Sequence, residues 1–65
     1  MIKITLNIVM LERNMSLKEL SRKVGITQSN LSILKNNKAK GIRFNTLEKL
    51  CSALKCQPGD IIKND

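Results

Sequence analysis

The sequence predicts an all-α domain of about five short helices, and three observations carry that prediction. Phe44 is the only aromatic residue, so a core has to be built from Leu, Ile, Val and Met, and small aliphatic domains of this kind are usually helical. Gly25, Gly41, Pro58 and Gly59 fall between short apolar stretches and punctuate the chain without dividing it. Within those stretches, apolar residues recur at helical spacing behind Ser, Thr and Asn, the residues that cap helix starts.

The 65 residues are read as a single domain, 1–65, because no linker, repeat or low-complexity segment interrupts them. A domain this small buries only about 60% of the surface its unfolded chain exposes. That leaves no room for a buried catalytic cleft.

The first helix is expected from about Leu6 to Asn14, with Ile8, Val9 and Leu11 facing inward and Arg13 outward. Ahead of it, Ile2, Ile4 and Leu6 alternate with Lys3, Thr5 and Asn7, which fits a short strand as well as a frayed helix start. A strand there has a partner in Asp60 to Asn64, within one chain or between two. Ser16-Leu17-Lys18-Glu19 is a capping box that opens the second helix, 17–24, with Met15 and Leu20 placed for the accompanying hydrophobic staple. Leu17, Leu20 and Val24 form its apolar side, and Gly25 ends it where positive φ suits glycine.

Thr27 caps a third helix, 28–36, and Ile26 with Leu31 repeats the staple. Asn37 is a tolerable left-handed residue at its end. Two capped helices joined by so short a glycine turn make a helix-turn-helix unit. Lys35 to Arg43 reads KNNKAKGIR, basic, without period, and is assigned to a loop. Asn45-Thr46-Leu47-Glu48 is expected to cap the fourth helix, where Leu47, Leu50, Cys51 and Leu54 form a stripe. Pro58-Gly59-Asp60 then restarts the chain as a short final turn carrying Ile61 and Ile62.

Twelve Lys and Arg against five Asp and Glu give a net charge of +7, which raises the odds of a polyanionic partner against the plainer alternative of a solvated basic surface. Catalysis is not expected: there is no histidine, the carboxylates Glu12, Glu19, Glu48, Asp60 and Asp65 are scattered, and no Gly-rich phosphate loop is present. Cys51 and Cys56 lack the further ligands of a zinc site and are read as small core or boundary hydrophobes, reduced in a cytosol. No cofactor is implied. No run is long enough to span a bilayer and no signal peptide is visible, so the expected location is cytoplasmic, without membrane contact.

From Leu17 to Asn36 the sequence resembles the Cro and phage-repressor (XRE-type) helix-turn-helix family, through apolar Leu20, small Ser21, apolar Val24, Gly25 and Ile26, then Leu31 and Leu34. The resemblance continues through "LKNNKAKGIRFNTLEKLCSALKCQPGDII", where the family has a basic loop, a capped helix and a closing P-G-D-hydrophobic turn. It implies a five-helix lambda-repressor-like fold, a short terminal strand pair being compatible with it, and a short DNA-binding transcriptional regulator. Two positions depart from the family. Many relatives carry Gln where this chain has Leu17, a side chain that bonds phosphate and braces the reading helix. Many also have Gly or Asn at the position of Lys55.

With Leu31 and Leu34 toward the core, the outer face of the third helix carries Ser29, Ser32, Asn36 and the flank of Ile33, with Gln28 leading. Neutral donors and acceptors distinguish base edges, whereas Lys and Arg saturate on any phosphate. Gln28 is the best candidate, since its amide can pair bidentately with adenine, and the resemblance also puts a base contact there. Ser29 and Ser32 can donate or accept, and Ile33 can meet a thymine methyl.

Backbone contacts are expected from Asn30 and Asn36 at the groove walls, from Lys35, Lys38, Lys40 and Arg43, and from the amides of Leu17 and Lys18 at a helix N-terminus. Arg43 has the alternative of a narrow minor groove. The expected partners are double-stranded DNA and a second copy of the chain on a palindromic operator, because one unit reads too few base pairs for selectivity. Repression by occlusion is favoured over activation. A protein-binding module, such as an antitoxin neutralising a toxin or a partner of a co-regulator, is the alternative that the fold also permits.

Overall fold

In the computed structural model, which describes residues 1–65, the chain runs β1 (Ile2–Ile4), α1 (Leu6–Glu12), α2 (Leu17–Val24), α3 (Gln28–Lys35), α4 (Phe44–Leu54), α5 (Pro58–Ile61) and β2 (Ile62–Asn64). Five helices thus surround one aliphatic core, built from Leu6, Val9 and Met10 of α1, Leu20 and Val24 of α2, Leu31 and Leu34 of α3, Leu50 and Leu54 of α4, and Ile61 of α5. α2 packs on α3 and α4, while α1 packs on α3 and α5. Phe44 takes no part in that core and is 88% exposed.

The inward face of α1 differs from the expected one. Only Val9 of the expected three is buried, alongside Leu6 and Met10, whereas Ile8 is 52% and Leu11 83% exposed. With Leu6 as reference and about 100° per residue, Met10 and Val9 fall on its side of the helix and Ile8 and Leu11 fall opposite. Arg13 is also not simply outward. Its Nε donates to the Leu54 carbonyl at 2.9 Å, placing a cation at the C-terminal end of α4.

Four helices stop by the same device. Asn14, Gly25, Asn37 and Lys55 are left-handed at φ 53°, 72°, 60° and 53°. After each, an amide reaches back five residues: Met15 to Met10 at 2.9 Å, Ile26 to Ser21 at 3.2 Å, Lys38 to Ile33 at 2.9 Å and Cys56 to Cys51 at 3.0 Å. This is the Schellman arrangement, which satisfies carbonyls that the helix leaves orphaned. Glycine bears the left-handed conformation without strain and Asn with little, but Lys55 has neither advantage. Lys55→Gly is therefore expected to stabilise the fold by about 1 kcal/mol, seen as a higher urea midpoint with an unchanged slope. An unchanged or lower midpoint would count against strain at this turn.

The predicted caps at Ser16 and Thr27 are formed, accepting from the amides of Glu19 and Asn30, each at 3.1 Å. Glu19 makes no return bond to Ser16, so only half of that capping box is present. In α4 the expected cap at Asn45 is displaced. Helical bonding starts with the Leu47 amide on the Arg43 carbonyl at 2.9 Å, so Arg43 is the capping residue, without a side-chain bond, and Asn45 lies in the first turn. Pro58 opens α5, a position where its missing N–H costs nothing, and the Gln57 amide donates to Asp60 Oδ2 at 2.9 Å.

The ends of the chain form an antiparallel pair within one chain, in register Ile2↔Asn64, Lys3↔Lys63 and Ile4↔Ile62. Thr5 N–H donates to the Ile61 carbonyl at 2.6 Å and Asp65 N–H to that of Met1 at 2.9 Å. That pattern turns the backbone groups of Ile2 and Ile4 to the open edge of β1. The outer N–H of Ile4 is taken by Asn37 Oδ1 at 2.7 Å, which blunts the edge and ties β1 to the end of α3.

Candidate nucleic-acid interface

The unit that would meet DNA is α2, the turn Gly25-Ile26-Thr27, and α3. Gly25 supplies the left-handed step, Ile26 packs onto the core beside buried Leu31, and Thr27 fixes the first turn of α3. With Leu31 and Leu34 buried, the remaining face of α3 is fixed in space. Gln28, Ser29, Asn30, Ile33 and Asn36 are exposed and Ser32 is half-buried.

Those residues are not all equally free. Asn36 Nδ2 donates to Ser32 Oγ at 3.1 Å, so these two are joined and Ser32 keeps its hydroxyl proton for another acceptor. Ile33 and Asn30 line a shallow groove between α3 and the following loop, together with Ile26, Ala39, Ile42 and Arg43. Lys35 and Asn36 lie elsewhere, in a second groove shared with Lys3, Asn7 and Ile8. The predicted backbone residues are therefore split along two sides of α3. Lys3 and Asn7 join one of them without any local signal in the sequence, because that neighbourhood is made by long-range packing.

The basic loop, which shows no period in sequence, has a simple construction. Ala39 and Ile42 pack against the core, while Lys38, Lys40 and Arg43 are exposed. Two apolar anchors thus hold three cations outward. Only Lys3 and Arg13 among the cationic side chains make ion pairs, with Asp65 at 2.7 Å and Glu12 at 3.9 Å. Lys35, Lys38, Lys40 and Arg43 have no acidic partner and can neutralise an external anion. At the start of α2, Leu17 is half-buried against the core, so its side chain serves packing; Lys18 is exposed.

A glycine-hinged helix pair, a neutral hydrogen-bonding face on its second helix and unpaired cations beside it define a helix-turn-helix DNA-binding domain. The chain belongs to the Cro/C1-type helix-turn-helix DNA-binding domain family, whose model matches residues 5–64. It is 58% identical over 60 residues to YozG of Bacillus subtilis (strain 168), described as an uncharacterized HTH-type transcriptional regulator, covering 92% of this chain and 71% of that protein.

Two solved structures share the fold. A crystal structure of a proposed DNA-binding protein from Bacteroides fragilis superposes with a TM-score of 0.87 at 21% identity, over 97% of this chain and all of that one. The SinR protein/SinI protein complex gives a TM-score of 0.76 at 28% identity, over 83% of this chain and 52% of that one. No helix is long and apolar enough to cross a membrane.

Proposed function

We propose that this DNA-binding regulator is a repressor that occludes a palindromic operator as a homodimer in the cytoplasm. Gln28, Ser29, Ser32 and Ile33 read base edges in the major groove. The amides of Leu17 and Lys18, together with Asn30, Lys35, Asn36, Lys38, Lys40 and Arg43, hold the sugar-phosphate backbone. The observation that carries this reading is the outer face of α3, which is polar and uncharged at its leading end and is bordered by cations without ion pairs. Uncharged groups discriminate bases, and free cations supply sequence-independent affinity. Two copies on half-sites about 34 Å apart give the selectivity one unit lacks.

Selection of bound DNA from a random pool at two salt concentrations tests the reading, with an enriched palindrome as the expected product. Absence of an enriched palindrome at low salt removes the specific-repressor role. In the same assay Gln28→Ala should lose preference at one base position per half-site, by about 1–3 kcal/mol, and leave the other positions intact.

A second reading has its own observation. Phe44, 88% exposed, stands at the head of a groove with Leu47, Cys51, Cys56 and Pro58, a surface suited to a protein partner such as a toxin or co-regulator. The pairing of SinR with SinI in a structural neighbour supports a protein partner. The two roles are compatible on one molecule.

A further inference from the structure

We infer that Cys51 and Cys56 are a thiol-modification site, closing to a reversible intramolecular disulfide under peroxide. The pair stands on the turn between α4 and α5, apart from the DNA-reading face, and does not depend on the function proposed above.

The turn itself brings the two residues together. Lys55 is left-handed at φ 53° and ψ 53°, and the Cys56 amide reaches the Cys51 carbonyl at 3.0 Å. In a Schellman turn the side chains at the two ends of this long bond meet, and that contact is ordinarily apolar. Here both ends are cysteine. Both are free thiols, half-buried, and both line the same open groove beside Phe44, Leu47 and Pro58, so a small oxidant has access to them.

The electrostatics agree with the geometry. Burial pushes the Cys56 thiol up, and the neighbouring Cys51 pushes it further through charge and hydrogen bonding, with Asp60 adding and Arg13 opposing. A thiol held neutral reacts slowly. The modification is thus slow near neutral pH and accelerates as pH rises. Two adjacent thiols are fitted for oxidation to a disulfide.

One sulfur attacks the peroxide O–O bond, giving a sulfenic acid and one water; the second thiol then displaces the sulfenic oxygen as another water. Two S–H bonds are replaced by one S–S bond while the peroxide is reduced. The product fixes the α4–α5 junction, and through α5 the start of β2 at Ile62.

The test is intact-mass analysis of the reduced, full chain after hydrogen peroxide treatment and, separately, in an oxidised/reduced glutathione series. The expected product has lost two hydrogens, has no titratable thiol, remains a single chain, yields a Cys51–Cys56 cross-linked peptide on digestion, and regains both thiols with dithiothreitol. Cys51→Ser should instead accumulate the glutathione adduct at Cys56. Glutathione on both cysteines of the unsubstituted chain, disulfide-linked dimers, or sulfinic products without the loss of two hydrogens would overturn the assignment.

Discussion

Leu50→Ala should leave the chain mostly unfolded at 25 °C. Leu50 is fully buried in the middle of α4, and the core around it is wholly aliphatic. Replacing such a leucine by alanine typically costs about 3–5 kcal/mol, because the transfer energy is lost and a cavity remains. A single core in a chain of this size rarely supplies more than about 3–5 kcal/mol in total. Far-UV circular dichroism with urea titration checks the outcome, which is a low helical signal without a cooperative transition. Leu11→Ala is the matched control. Leu11 sits on α1 and is 83% exposed, so its truncation should shift stability by no more than about 0.5 kcal/mol. A Leu50→Ala protein with a sharp transition near that of the parent would mean that α4 does not close the core.

The second large effect is the collapse of DNA affinity with salt. Each phosphate neutralised releases condensed counterion and adds about −0.9 to the slope of log affinity against log salt. Lys35, Lys38, Lys40 and Arg43 are all free of ion pairs, and the proposed homodimer would present them twice. Binding that uses the full set should weaken by about 10³- to 10⁵-fold between 50 and 200 mM salt. Lys40→Ala should weaken all sequences alike and flatten the slope by about one unit per protomer, whereas Gln28→Ala should leave the slope alone. Fluorescence anisotropy on the selected operator at several salt concentrations separates the two. An unchanged slope in Lys40→Ala would remove the loop from the phosphate contacts.

What could be read in advance followed from how local each feature is. The caps at Ser16 and Thr27 and the glycine stop at Gly25 depend on residues three or four apart, and each is present as expected. The phase of α1 was not legible. Leu6, Ile8, Val9, Met10 and Leu11 are all apolar, so every face of that helix offers hydrophobic side chains and periodicity carries no information. The choice is made by packing against α3 and α5 and by Thr5, whose Oγ1 donates to the Asp60 carbonyl at 2.9 Å while making no cap bond.

The same limit applies to the interface. The polar face of α3 could be listed from helical geometry once Leu31 and Leu34 were set inward. The division of Lys35 and Asn36 from Arg43 could not, because Lys3 and Asn7 reach their groove from the other end of the chain. Asn45 has the side chain of a helix cap, but the ladder of α4 begins at Arg43, where the sequence offers no capping side chain.

The bond from Ile4 to Asn37 has a kinetic meaning. β1 and β2 are three residues each and lie at opposite ends of the chain, so their pairing closes the longest loop available and has few hydrogen bonds to offset that entropy. Segments of this kind open more often than helices packed in the core. Each opening withdraws the donor that Asn37 accepts, and with it the tether on the last turn of α3. The far end of α3 therefore breathes on the clock set by fraying of the termini, while its beginning, held by Thr27 and Leu31, keeps time with the core.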